Sequence, residues 1–451
     1  MAVGRVIASH VWWPPRRLRH LTHWPMLANA ISLLATTVVT SGLGYAYWVL
    51  AAKLFPAEAV GFAAAAISAM TLLGTLGMMG LGTLLIGELR ESPGRELSLI
   101  VTGVVVAGVV GGTLGGAFAL LVHIVSGDLA PLGASLGAVL LFGLGVGLTS
   151  FGQVLDFAVI GLLRGSWQLG RNTVFSVTKL VALLVLGIGA FSTDGLGLYS
   201  SWVMGSLMSL IAMCALARGS RGVPGVWTPE WGLLRKLGRA ALGHHALNIA
   251  LMSPYQLLPL LVAVLLSTTQ TAYFYMAFML ASLIFALPGH LATALYASGG
   301  RTPHELARRL RLSLALGTGA SLAANAILFF GADWILGIFG PAYVSEASAT
   351  LRLLALAGLP LIVKDHYVAL LRLSRRAGQA AVAVAAGGIL ELAMGSAGAL
   401  LGGLTGLSLG WLVAGCVEAV LMAPIIYRAA LPPGSDDVPS IRREEMVSAN
   451  L

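Results

Sequence analysis

Long, almost uninterrupted apolar runs dominate this chain and decide what it can fold into. They lie at 27–53, 61–87, 98–125, 135–160, 173–193, 197–217, 239–265, 272–297, 312–331, 346–371, 379–400 and 406–427. A helix that crosses a bilayer needs about 20 mostly apolar residues, and every run reaches that length. Inside hydrocarbon each backbone N–H and C=O must find a partner within the protein, which leaves helices or closed barrels. Barrel strands are short and alternate in polarity, whereas these runs are apolar on all sides. The sequence therefore predicts an all-α polytopic membrane protein with twelve transmembrane helices. Only 10% of its 451 residues are charged, against about 25% in soluble chains. That scarcity excludes a soluble enzyme, a coiled coil, a disordered chain and a disulfide-rich secreted domain.

The placement of the basic residues orients the spans. Of 27 arginines and lysines, 23 fall in alternate connecting segments, among them Arg16, Arg90, Arg164, Arg171, Arg235, Arg308, Arg372 and Arg428. Cytoplasmic loops concentrate such residues, so both termini are expected in the cytoplasm of a cell-membrane protein. The net charge of +9 is then topology, and no nucleic-acid partner is implied. The first run continues to Lys53, beyond the 7–15 apolar residues of a cleavable signal, and reads as a retained span. The expected organisation is a basic segment over 1–26, a six-helix lobe over 27–217 and a cytoplasmic linker over 218–238. A second six-helix lobe covers 239–427, and a polar, disordered tail covers 428–451. Trp227, Trp231, Arg235 and Lys236 suit either a helix lying on the inner leaflet or a plain polar linker. An even number of spans per half gives both lobes the same orientation, as in parallel-repeat transporters.

Both halves open alike. Residues 49–56 (VLAAKLFP) lead through a short turn to 61–65 (GFAAA), and 262–266 (VAVLL) lead to 272–277 (AYFYMA). Further on, 336–343 (LGIFGPAY) is followed by 351–355 (LRLLA), and Leu163-Arg164-Gly165 leads through Asn172 to Lys179-Leu180. In order and spacing these features resemble the polysaccharide flippase branch of the multidrug/oligosaccharidyl-lipid/polysaccharide transporter superfamily, over 27–427. The resemblance implies two lobes facing a central cavity and alternating access. It also implies a polyprenyl-pyrophosphate-linked oligosaccharide as cargo, moved from the inner to the outer leaflet for cell-surface polysaccharide synthesis. Its implied partners are membrane lipids, a polysaccharide polymerase and glycosyltransferases. Gln256 departs from the pattern, standing where many relatives carry an acidic residue.

Polar groups inside a membrane are costly and mark function or mutual pairing. Asn172, Ser176 and Lys179 share one helical face, as do Thr149, Gln153 and Asp156. Lys364, Asp365 and His366 add a third group, and together these predict a polar opening on the cytoplasmic side. With the implied cargo, Lys179, Lys364 and Arg164 are candidates to receive the pyrophosphate, which needs cationic partners. The alternatives are that the lysines snorkel or pair with Asp156 and Asp365, and that Arg164 only sets topology. Arg352, two turns from the outer face, either meets cargo late in transport or anchors its helix. Asp156, Glu391 and Glu418 are coupling candidates, the two glutamates lying near the midplane; between peripheral helices they would simply hydrogen-bond. Gln153, Asp365, Asn248 and Gln256 are expected to line the cavity. Pro254 and Pro259 remove two helix hydrogen bonds and predict a bend that acts as a gate.

Other chemistry is poorly supplied. Cys214 and Cys416 lie in apolar runs and suggest neither a disulfide nor a metal site. His244 and His245 are adjacent in sequence and point to different faces. No GxxxxGK[ST] run occurs, and no cofactor is implied. Gly108, Gly112 and Gly116, with Gly143 and Gly147, fit close helix packing. A cation-coupled drug or metabolite exporter of the same superfamily is the nearest alternative. A membrane enzyme acting on lipid-linked sugars is the other, but the short outer loops supply few catalytic groups; the third offers only Asp128.

Overall fold

The computed structural model describes residues 25–188, 194–219, 228–229, 231–298 and 302–431. These fold into helices, with no strand among the described residues. The first half comprises α1 (Pro25–Leu54), α2 (Ala57–Gly77), α3 (Leu81–Glu91), α4 (Glu96–Leu121), α5 (Leu136–Gly161), α6 (Gly165–Ile188) and α7 (Gly195–Gly219). The second comprises α8 (Gly232–Leu265), α9 (Thr268–Ser298), α10 (Pro303–Gly337), α11 (Pro341–Leu356), α12 (Gly358–Leu373) and α13 (Ala377–Ala430). Among the described residues ten stretches are long and apolar enough to cross a membrane, the 54-residue α13 counting as one. The predicted segment 1–26 lies outside the described residues except for Pro25 and Met26. So do 220–227 and Glu230 of the linker, Trp227 among them, and the tail from 432 onward, whereas 232–238, expected as linker, form the start of α8.

Three runs differ from simple helices for local reasons. The run 61–87 is two helices, because Met79 (φ 49°) and Gly80 (φ 76°) turn left-handed between them; glycine tolerates that conformation and most residues do not. The freed backbone groups are recovered by Met79 N–H to Leu76 O and Leu81 N–H to Met78 O. The run 346–371 divides at Ala357 into α11 and α12, where Pro360 has no N–H to continue the ladder. α13 leaves helical geometry at Gly402 and Gly403 and doubles back. Its arms approach until a Cβ on Gly398 would stand 2.0 Å from the Gly406 carbonyl.

Capping side chains set several helix starts. Ser135 accepts from Ala138 N–H at 3.1 Å and Thr302 from Glu305 N–H at 3.2 Å, each satisfying an orphan donor of a first turn. The expected glycine packing is present between α4 and α5: a Cβ on Gly147 would stand 2.9 Å from the Gly108 carbonyl.

In the first half α1 packs on α6, α6 on α7, and α5 on α2, α3, α4 and α7. In the second, α8 and α12 pack on α13, and α9 packs on α10, α11 and α12. The two sets of helices meet where α2 packs against α8 and α9, and α3 against α8.

Their apolar core is shared at one end and divided at the other. At the end carrying Pro56 and Thr268, one cluster joins Tyr47, Trp48 and Phe62 to Phe274, Phe339 and Leu351. At the end carrying Arg164 there are two separate clusters. One is built on Leu85, Leu99 and Val154, the other on Leu310, Tyr367 and Val384. The helices are therefore sealed together at the Pro56 end and hold separate cores at the Arg164 end.

Candidate functional site

Lys179 occupies a cage of aromatic rings. It stands 14 residues into α6, about 21 Å along the axis, and so near the middle of the helix. A span counted from the start of the apolar run at 173 would put it two turns from the end, but the helix begins at Gly165. The side chain is only 3% exposed. Its Nζ lies 3.8 Å from the ring centre of Trp202 on α7, 4.8 Å from Phe175 one turn back, and 5.1 Å from Tyr47 on α1. Tyr47 is fixed in turn by Ser201 Oγ at 2.8 Å. Among the described residues Lys179 makes no ion pair. Ring faces attract the ammonium through their quadrupoles, yet they leave its charge uncancelled.

Asp156 is not the partner of Lys179. It is held by Arg171, whose Nε donates to Oδ1 at 2.9 Å and whose Nη2 donates to Oδ2 at 2.5 Å. The same Nη2 donates to Asn172 Oδ1 at 2.9 Å. Arg171 thus belongs inside α6, not to a connecting loop, and its charge is spent on a carboxylate. Gln153 Nε2 donates to Thr75 Oγ1 at 3.2 Å, tying α5 to the last turn of α2.

In the second half Lys364 pairs with glutamates and not with Asp365. Its Nζ donates to Glu391 Oε1 at 2.7 Å and lies 3.0 Å from Glu418 Oε2. Trp411 Nε1 donates to the other Glu391 oxygen at 3.0 Å. Neither oxygen of Glu418 has an aligned hydrogen bond. All three charged side chains are buried, so the helices bearing the glutamates are not peripheral. Two carboxylates share one ammonium. Asp365 is half-buried beside Gly289, and His366 Nε2 lies 2.7 Å from Ser313 Oγ.

The remaining predicted residues are dispersed. Arg164 sits in the α5–α6 turn with its guanidinium 4.5 Å from the Trp167 ring. Arg352 donates to Asp333 Oδ2 and to the Phe329 carbonyl, both at 3.0 Å, which fastens α11 to α10. Asn248 and Gln256 are half-buried on α8. Pro254 and Pro259 stand within α8, which continues through both, and Pro254 packs against Gly388 of α13. No group of three potential metal ligands stands together among the described residues.

Sequence reasoning missed the rings and the tryptophan donor. Tyr47, Phe175, Trp202 and Trp411 are aromatic residues within apolar runs, where packing is their ordinary role. Phe175, at i−4 from Lys179, was the one cage member visible from helical spacing.

No protein-family model matches the chain, and no curated protein matches it. Solved structures do. A multidrug resistance MATE family transporter of the MOP superfamily, in an inward-facing conformation, superposes with a TM-score of 0.70 at 13% identity, covering 88% of this chain and 98% of that one. The lipid II flippase MurJ in an inward closed conformation gives 0.65 at 14% identity, over 89% and 90% of the two chains. An outward-facing MATE family transporter gives 0.57 at 13% identity, over 90% and 96%. The fold is that of the MOP superfamily transporters.

Proposed function

We propose that this chain is an alternating-access transporter that moves a polyprenyl-pyrophosphate-linked oligosaccharide across the cytoplasmic membrane, with no catalytic step of its own. The observation that carries this reading is Lys179: a buried ammonium held by three rings and by no carboxylate among the described residues. An uncompensated buried cation is costly, and a pyrophosphate is the ligand that completes it. The cage itself disfavours a cationic cargo, because the protein's own ammonium already fills it. Asp156, inside α5, is paired with Arg171 and so offers no free carboxylate to a cation.

The energetics suit binding that must also release. A desolvated cation–π contact is worth about 2 kcal/mol, and a hydrogen bond to a charged group about 1.5–3 kcal/mol. A phosphate therefore competes evenly with the rings, drawing the ammonium out on binding and yielding it on release.

Counting α1 and both arms of α13 with the other long helices gives twelve crossings in two six-helix lobes. Both termini then lie in the cytoplasm, and the Arg164 end is cytoplasmic. The divided core at that end, where α3 still touches α8, and the higher TM-score with the inward-facing relative, 0.70 against 0.57, support an inward-facing state that takes cargo from the inner leaflet. Lys364, Glu391 and Glu418 supply coupling: the surplus carboxylate accepts one proton, and its loss or gain changes the packing of α12 on α13. A polysaccharide polymerase and glycosyltransferases are the partners this reading entails.

The test is translocation of a fluorescent polyprenyl-pyrophosphate saccharide in reconstituted vesicles. Wild-type protein should flip it and Lys179→Met should not; equal rates would remove the anion site from the mechanism. A second reading, a cation-coupled exporter, draws support from the surplus carboxylate near Lys364 and from the likeness to MATE transporters. Uptake of a hydrophobic cationic dye in the same vesicles, with no movement of the lipid, would establish it instead.

A further inference from the structure

The two sets of helices touch at the Pro56 end through contacts of different kinds. Trp48 of α1 lies 4.7 Å from the ring of Tyr275 on α9, and Tyr45 lies 5.6 Å from Phe339 beyond α10. Gly61 of α2 presses against the backbone of Thr268, the first residue of α9. These are packing contacts, which slide and separate without a specific partner. Another contact is made by a charged group. Asp128 lies in the α4–α5 connection, between the short 3-10 turns Val122–Ile124 and Ala130–Gly133. Its Oδ2 accepts from Thr268 N–H at 2.9 Å and from Thr268 Oγ1 at 3.3 Å. At this end Asp128 is a carboxylate whose hydrogen bonds cross from one set of helices to the other.

Helix α9 does not need this carboxylate in order to start. Its own Ser267 Oγ already accepts from Gln270 N–H at 3.1 Å, the usual local cap. Asp128 adds a second acceptor from 140 residues away, at the positive end of the helix dipole. Thr268 is buried while Asp128 stands at the exposed rim, so the carboxylate reaches across the seam. We propose that Asp128 is a latch that holds the Pro56 end shut, and that it must leave Thr268 before this end can open. The inference takes from the preceding reading only that the two sets of helices rock apart; it needs neither the cargo nor Lys179.

Spin labels on two exposed positions either side of the seam, Ala134 and Ser345, report the opening by their distance distribution. They are introduced as Ala134→Cys and Ser345→Cys after Cys214→Ala and Cys416→Ala. In reconstituted protein without cargo, Asp128→Ala should raise the ratio of long- to short-distance populations about two- to thirtyfold, the range set by losing a helix cap. Asp128→Asn keeps an acceptor but loses the charge, and should raise it at least twofold. An unchanged distribution in folded Asp128→Ala, or in Asp128→Asn where the alanine variant does not fold, overturns the latch. Lipid flipping by Lys179→Met is a separate measurement, so failure of the cargo reading leaves this result standing.

Discussion

Lys364 on α12 and Glu391 on α13 meet at 2.7 Å inside the second half of the protein, and Trp411 closes the other side of the glutamate. Glu418 faces the same ammonium at 3.0 Å without an aligned hydrogen bond. Breaking a buried pair by removing one partner costs about 3–5 kcal/mol, because the other charge is left stranded. Lys364→Met strands two carboxylates and should lower the melting temperature in detergent sharply. Glu418→Gln removes the surplus charge and should leave the melting temperature unchanged or raised, while abolishing transport driven by a pH gradient. Equal destabilisation by both variants would show that Glu418 is as tightly used as Glu391 and carries no exchangeable proton.

For Lys179, stability and function should part in the opposite way to Lys364. Methionine of similar length removes a buried charge and its desolvation cost, and loses cation–π attraction of about 2 kcal/mol. The two effects nearly cancel, so Lys179→Met should melt within a few degrees of wild type, yet fail to flip a pyrophosphate-linked lipid. Trp202→Ala opens the cage on its nearest side and should weaken flipping without abolishing it. A large fall in melting temperature for Lys179→Met would mark the lysine as a structural fixture of the rings.

What the sequence disclosed and what it hid follow the range of the interactions. The positions of the long helices were legible because apolar run length is a local property, read within about 20 residues. Partners were not. Lys364 finds Glu391 and Glu418, 27 and 54 residues on, while adjacent Asp365 points elsewhere. Lys179 finds Tyr47, 132 residues earlier. Run length puts Arg171 in a loop because about the first two and a half turns of α6, Gly165–Thr173, are polar and cannot be recognised as helix in that way. The break after Gly77 was hidden too, since methionine and glycine there are apolar enough to extend the run to 87.

The Asp156–Arg171 pair should behave as one unit. Its side chains are 21% and 10% exposed, so either residue alone leaves a largely desolvated charge. Asp156→Asn and Arg171→Gln should each cost about 3 kcal/mol, and the double variant much less than their sum. Coupling measured by a double-mutant cycle in urea- or heat-induced unfolding reports this directly. Additive costs would mean that the two side chains stay hydrated and independent.

Gly61 tests how closely the two halves are pressed together. A Cβ there would stand 1.6 Å from the Thr268 carbonyl oxygen and 2.8 Å from the Ala272 nitrogen, both backbone atoms that no rotamer change can move. Gly61→Ala must therefore separate α2 from α9, at the overpacking cost of about 1–3 kcal/mol. Gly42 on α1 is the matched control, since nothing lies within 4 Å of the position its Cβ would take. There alanine gains helix propensity of about 1 kcal/mol, and Gly42→Ala should melt at or above the wild-type temperature. Because Gly61 contacts the same residue that Asp128 caps, its alanine variant should also lengthen the distance between labels at positions 134 and 345. Gly61→Ala melting as high as Gly42→Ala, with unchanged label distances, would mean that α2 and α9 are not in contact at this end in the membrane.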